Sequence, residues 1–169
     1  MADAHVFPTA RVMACGRKPV VRGCGGSYDR RMANPEPVLH LSVPVSDLEA
    51  ARRFYVEAFG CRVGRMREDW IDVWFFGMQL TLQLRPDEVR SPAEQGVRHL
   101  GVVLGDAATY LAVIDRLESA HVEWLSEPAA HDAESLSGKV GGKLADPSGN
   151  VIEVKYYDDV DIYRADGPG

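Results

Sequence analysis

His40-Leu41-Ser42-Val43-Pro44-Val45-Ser46-Asp47 and His99-Leu100-Gly101-Val102-Val103-Leu104-Gly105-Asp106 open two copies of one pattern. In each copy a His begins an alternating apolar stretch, an Asp stands seven positions later, and an amphipathic segment follows. The first copy then reaches a strand-like run with Gln79, Thr81 and Gln83 at alternate positions. The second reaches Val151-Ile152-Glu153-Val154-Lys155. Two duplicated units that each place a His on one strand and a Gln or Glu on a later one can surround a single metal ion.

The local signals around these runs define an order of elements. Val38–Val43 reads as a strand. Ser46-Asp47-Leu48-Glu49 has the form of a capping box, in which Ser and Glu side chains satisfy free backbone donors. A helix should follow through about Phe59, because Leu48, Ala51, Phe54, Tyr55, Ala58 and Phe59 recur at helical spacing. Gly60 suits the left-handed conformation that ends a helix. Strands are expected at 61–67, 70–76 and 78–84, with Gly77 in the last turn. Residues 86–96 are polar and punctuated by Pro and Gly, and read as a linker. The second unit repeats the order: a strand at Arg98–Leu104, Asp106 as N-cap, a helix to about Ala120, and strands near 121–125, 139–145 and 150–156. An extended loop occupies 126–138. The chain is therefore expected to be α+β, with βαβββ twice.

Side chains alternate across a strand with period two. Leu39, Leu41 and Val43 oppose His40 and Ser42. Met78, Leu80, Leu82 and Leu84 oppose Gln79, Thr81 and Gln83. Leu100, Val102 and Leu104 oppose His99, Gly101 and Val103, and Ile152 and Val154 oppose Val151, Glu153 and Lys155. The aliphatic faces are expected to receive the two helices. The other faces carry His40, Gln83, His99 and Glu153, which can converge on a concave sheet.

Composition narrows the classes of function. The 169 residues suffice for one domain with a sizeable core. No run approaches the ~18 apolar residues needed to span a bilayer. A net charge of −6 argues against nucleic acid as a partner. Residues 1–31 carry six basic side chains (Arg11, Arg17, Lys18, Arg22, Arg30, Arg31) against Asp3 and Asp29, so the remainder is strongly acidic. Residues 1–33 are Gly-rich and aperiodic and read as a disordered basic extension. They lack the apolar centre of a secretory signal, and the folded protein is expected to begin near Met32. The expected domain covers 34–160, with modules at 36–85 and 97–158, and 161–169 reads as a flexible tail. Cys15, Cys24 and Cys61 show neither metal-ribbon nor disulfide spacing, which fits a reducing, cytoplasmic location.

The segments His40-Leu41-Ser42-Val43-Pro44-Val45-Ser46-Asp47-Leu48, Arg53-Phe54-Tyr55, Phe59-Gly60-Cys61, His99-Leu100-Gly101-Val102-Val103 and Asp146-Pro147-Ser148-Gly149-Asn150-Val151-Ile152-Glu153 together resemble the vicinal oxygen chelate superfamily. That superfamily includes glyoxalase I, extradiol dioxygenases, fosfomycin-resistance proteins and bleomycin-binding proteins. Trp70–Gly77 and Val97–Leu104 resemble a group of small predicted extradiol-type dioxygenases, although those relatives tend to have His where this chain has Gln83. The resemblance covers about 36–158. It implies a cupped, partly open barrel of two βαβββ modules around one metal, a small-molecule substrate, and a homodimer. Whether the modules pair within or between chains stays open.

The implied metal ligands are His40, His99 and Glu153, with Gln83 as a fourth and Gln79 its competitor. Two imidazoles and a carboxylate suit Fe(II), while an added amide oxygen suits Ni, Co, Zn or Mn acting as a Lewis acid. In the dioxygenase reading His131 takes the second phenolic proton of a catechol, and Lys143 or Lys155 steers the anionic substrate. In a glyoxalase-type lyase or isomerase Glu153 carries the proton, because an amide is no base. A bleomycin-resistance-type binding protein, and a thiol transferase acting on an epoxide antibiotic, complete the alternatives. The plainer expectations are that Thr81 is wall, Lys155 a solvated rim residue, His131 a surface residue and His121 structural at a helix end. Trp70, Trp74, Phe75 and Phe76 read as core and sheet wall, with a concave Trp able to flank an aromatic ligand. Asp146–Asn150 reads as a turn with Gly149 at positive φ.

Overall fold

The computed structural model describes residues 37–129, 134, 136 and 138–157. The expected basic extension, the expected C-terminal tail and His131 lie outside the described residues.

The first module runs β1 (His40–Val45), α1 (Leu48–Glu57), β2 (Arg62–Met66), β3 (Trp70–Phe75) and β4 (Met78–Leu84). A 3₁₀ turn at Pro86–Glu88 and a short helix, α2 (Pro92–Gln95), occupy the segment read as a linker. The second module runs β5 (Leu100–Leu104), α3 (Ala107–Ser119), β6 (Trp124–Ser126), β7 (Lys139–Ala145) and β8 (Val151–Tyr157). Each module forms one four-stranded sheet, ordered β1-β4-β3-β2 and β5-β8-β7-β6. The first strand of each module lies parallel to the last, and the remaining pairs are antiparallel. The expected α+β class and doubled βαβββ order are therefore present, and the sheets do not close into a barrel.

Local chemistry explains both helix starts. The Asp47 carboxylate accepts from Ala50 N at 2.9 Å, and Asp106 accepts from Thr109 N at 2.7 Å, so each satisfies an orphan donor of the first turn. The expected Ser46–Glu49 capping box does not form. Ser46 bonds Ser148 through both its N–H (3.0 Å) and its hydroxyl (3.3 Å), while Glu49 pairs with Arg52. A reciprocal box forms instead at Ser91 and Glu94, and starts α2. At the β3–β4 turn Phe76 and Gly77 both take positive φ, 46° and 85°, as a two-residue hairpin with right-handed twist requires.

One core runs through the fold. The aliphatic faces behave as the alternation predicts in β4 and β8, where Leu80, Leu82, Ile152 and Val154 are fully buried beneath Tyr55 of α1 and Tyr110 and Ile114 of α3. Full burial of each such side chain contributes about 1.5–3 kcal/mol. Leu39, just before β1, and Leu41, near its start, were expected under a helix and are instead exposed. The turn Asp146–Asn150 does more than reverse the chain. Asp146 Oδ2 accepts from Tyr55 OH at 3.2 Å, and Asn150 Nδ2 donates to Pro44 O at 2.9 Å. With the Ser46–Ser148 bonds, the turn clasps the start of β8 to the end of β1. Among the described residues, no helix is long and apolar enough to cross a membrane.

Candidate functional site

The second module preforms a His–carboxylate pair. Gly101 of β5 stands opposite Glu153 of β8 in register, and His99 shares that face by alternation. His99 Nε2 lies 2.9 Å from Glu153 Oε2. His99 Nδ1 lies 2.8 Å from Val97 O, and because a carbonyl only accepts, Nδ1 carries the proton. Nε2 then faces a carboxylate oxygen either as a second N–H donor, in the imidazolium, or with a lone pair, in the neutral ring. Two acceptors that close need a proton or a metal cation between them. A backbone carbonyl that orients the far nitrogen is also the support a metal-binding His has. The donor chemistry thus fits a divalent cation.

Glu153 is partly buried and surrounded by cations. Lys155 Nζ stands 2.7 Å from Oε2 and Lys143 Nζ 3.9 Å from Oε1. Burial pushes the Glu153 carboxyl up, but the Lys155 hydrogen bond and the charges of Lys155, His99 and Lys143 outweigh it and hold the group below the ordinary glutamate range. Lys155 is therefore a partner of the site and departs from the solvated rim position expected of it. Gly101 is a second unforeseen contributor. A Cβ there would collide with the Glu153 carbonyl oxygen, so only glycine lets β5 close on β8 at this point.

The first module forms a separate pocket of about 180 Å³ around His40, Ser42, Thr81 and Gln83, with Arg65, Trp70 and Asp72 completing it. His40 Nε2 lies 3.5 Å from Ser42 Oγ, and Gln83 Nε2 donates to the same hydroxyl at 3.2 Å. Gln79 stands opposite His40 in register, but its amide nitrogen is committed to Asp72 at 2.9 Å. Of the two competing glutamines, Gln83 is the one that lines the His40 pocket. Asp72 was not foreseen. It is almost fully buried, and accepts from Arg65 Nε (3.0 Å), Gln79 Nε2 (2.9 Å) and Thr81 Oγ1 (2.5 Å). Its sequence signal is an acidic residue midway along an apolar strand, at the parity of Trp70 and Trp74. Thr81 is wall, as expected, and also anchors Asp72. Trp70 and Trp74 lie under Arg65 and Arg62, and Phe75 is buried core.

The structure thus brings His99 to Glu153, and His40 to Gln83 through Ser42, on two different sheets. Among the described residues no group of three or more His, Cys, Asp and Glu side chains lies close enough to hold one metal ion. His121 follows α3 with φ 53° and lines a larger cavity, about 560 Å³, beside Phe54, Leu125 and Pro147. That cavity contains none of the four candidate ligands.

A family model described as the glyoxalase/bleomycin resistance protein/dioxygenase superfamily matches residues 38–154. A curated relative, 1,2-dihydroxynaphthalene dioxygenase from Sphingobium xenophagum, is 26% identical over 145 residues, covering 82% of this chain. The chain spans 45% of that relative's length. The crystal structure of a glyoxalase/bleomycin resistance protein/dioxygenase from Alicyclobacillus acidocaldarius is similar with a TM-score of 0.64 and 32% identity, over 76% of this chain and 96% of that one. Lactoylglutathione lyase from Agrobacterium tumefaciens shares the fold at a TM-score of 0.52 and 18% identity, over 73% and 95% of the two chains. With the doubled βαβββ order and the matched span of both modules, the chain belongs to the glyoxalase/bleomycin resistance protein/dioxygenase superfamily.

Proposed function

We propose that the protein is a metal-dependent oxidoreductase of the extradiol ring-cleaving type, acting on a small catechol-like molecule. The observation that carries this reading is the His99–Glu153 pair, whose ring nitrogen and carboxylate oxygen at 2.9 Å need a proton or a metal ion between them. The similarity to a 1,2-dihydroxynaphthalene dioxygenase supports the reaction class. His40, His99 and Glu153 would hold Fe(II), with Gln83 as a fourth ligand, a set that suits non-heme iron. The ion supplies Lewis acidity that favours the ionised form of a bound hydroxyl.

The chain's own residues do the rest. Lys155 and Lys143 keep Glu153 ionised. Trp70 offers a ring face beside His40, and His131 is our candidate base for the second phenolic proton. Because His40 and Glu153 belong to different sheets, we assign the complete ligand set to a homodimer in which the first module of one copy meets the second module of the other. β1 and β5 are edge strands, and Leu39, Leu41, Val97 and Val103 beside or on them are exposed, as strands awaiting a partner are.

The test is oxygen uptake by Fe(II)-loaded protein supplied with catechol under single-turnover and steady-state conditions. Uptake that disappears in Glu153→Ala and in His99→Ala is expected. Uptake unchanged in those variants, or absent across a panel of catechols, refutes the reading. Gln83 in the His40 pocket supports a second reading, a glyoxalase-type lyase or isomerase using Ni, Co, Zn or Mn. Under that reading the loaded protein isomerises a thiol adduct of a 2-oxoaldehyde and takes up no oxygen.

A further inference from the structure

We propose that Arg65, held by Asp72 and laid on Trp70, selects substrates that carry a carboxylate on the aromatic ring. This rests on the reading of the His40 pocket as a site for a small vicinal diol, and it names the substituent that the pocket recognises.

The arrangement is a buttressed cation. Arg65 Nε donates to Asp72 Oδ2 at 3.0 Å, and its guanidinium carbon lies 5.5 Å from the centre of the Trp70 ring. The Asp72 side chain is 3% exposed and that of Arg65 75% exposed. One partner is thus buried and fixed, and the other reaches into the mouth of the pocket. Thr81 and Gln79 also donate to Asp72, so the carboxylate cannot swing with the arginine. A guanidinium has five N–H donors in a planar fork, and using Nε leaves the terminal pair for a second acceptor. That fork matches a carboxylate in two parallel bonds.

The backbone is shaped for this placement. Register shifts between Val63 and Met66, and a bulge re-aims the side chains beside it. At Gly64 a Cβ would stand 3.2 Å from Asp72 Cβ and 3.3 Å from Trp74 Nε1, so glycine lets β2 lie close over the aspartate. Charge points the same way. On the faces that carry His40 and Glu153, Arg62, Arg65, Lys139, Lys143 and Lys155 outnumber Asp72 and Glu153, within a chain of net charge −6. A cavity of about 180 Å³ lies below the ~300 Å³ at which drug-sized ligands fit, so the ligand is small.

The experiment titrates the full chain calorimetrically with 3,4-dihydroxybenzoate and with catechol, for the native protein, Arg65→Gln and Arg65→Lys. The native protein is expected to bind the carboxylate about tenfold more tightly, the worth of one charge-assisted bond. Arg65→Gln brings the ratio near one and Arg65→Lys, which lacks the fork, gives a value between. Raising the salt concentration narrows the native ratio without any substitution. Equal native affinities, a preference that survives Arg65→Gln, or binding of neither probe overturns the proposal. Oxygen uptake by the Fe(II)-loaded samples separates the two readings. A carboxylate preference without uptake removes the dioxygenase and keeps Arg65 in its role. Uptake with no carboxylate preference does the reverse.

Discussion

Replacing Asp146 by Ala should unfasten the two modules. The carboxylate is 4% exposed and accepts four bonds. Ser148 N (2.8 Å) and Asn150 N (2.9 Å) reach Oδ1, while Tyr55 OH (3.2 Å) and Asn150 Nδ2 (2.8 Å) reach Oδ2. Burial pushes this carboxyl up and the bonds from Asn150, Ser148 and Tyr55 pull it back, leaving it above the ordinary aspartate value of 3.8. Asp146→Ala strands all four donors, and at about 1 kcal/mol each the loss is about 4 kcal/mol. Removing a poorly solvated charge returns part of that, so we expect a net loss of about 3 kcal/mol. For a domain of this size the unfolding midpoint should fall by about 10–15 °C. Tyr55→Phe deletes one donor and keeps the acceptor, so it should lose about 1 kcal/mol. Urea unfolding followed by circular dichroism measures both. A loss below about 1 kcal/mol for Asp146→Ala, or equal losses for the two variants, would refute the idea that the turn is a clasp.

Gly101→Ala should force β5 away from β8, lowering stability by about 1–3 kcal/mol. It should also separate His99 from Glu153, so Fe(II) affinity read by titration should drop with it; unchanged affinity would show that the close approach is unimportant. Glu153 gives a pH signature. Its folded pKa lies below the ordinary 4.5, so the unfolded chain takes up the proton first as the pH falls. The stabilisation is therefore complete above 4.5 and lost as the pH drops through the folded value. The stability gap between the native protein and Glu153→Gln should shrink in acid; a gap that is constant down to complete protonation contradicts the ion-paired carboxylate.

Much of the fold is legible in the chain because its signals are local. The two Asp caps, the period-two strands and the turns at Gly60, Gly77 and Gly149 each depend on a few neighbouring residues. β1 extends to Val45, past the boundary expected at Val43, although Pro44 lacks an N–H. The Pro44 carbonyl faces Asn150, so the missing donor lies on the side away from β4, where an edge strand tolerates it. What was illegible depends on distant partners. Ser46 has the chemistry of a cap, but its partner Ser148 lies 102 residues on. The Lys155–Glu153 contact, by contrast, is local, because the two stand two positions apart on one face of β8. Asp72 and Gly101 matter only because β3 and β4, and β5 and β8, lie against each other. That His99 and Glu153 lie on like faces was readable from alternation, while their contact rests on the parallel pairing of β5 with β8; the proposed union of their half with the His40 half lies beyond what one chain's periodicity encodes.

The most direct measurement is the metal content of protein purified without oxygen, beside Glu153→Ala and His40→Ala. About one Fe(II) per chain is expected, lost in both variants. Protein that carries no metal, and takes up none when Fe(II), Ni, Co, Zn or Mn is supplied, contradicts it and leaves a small-molecule binding protein.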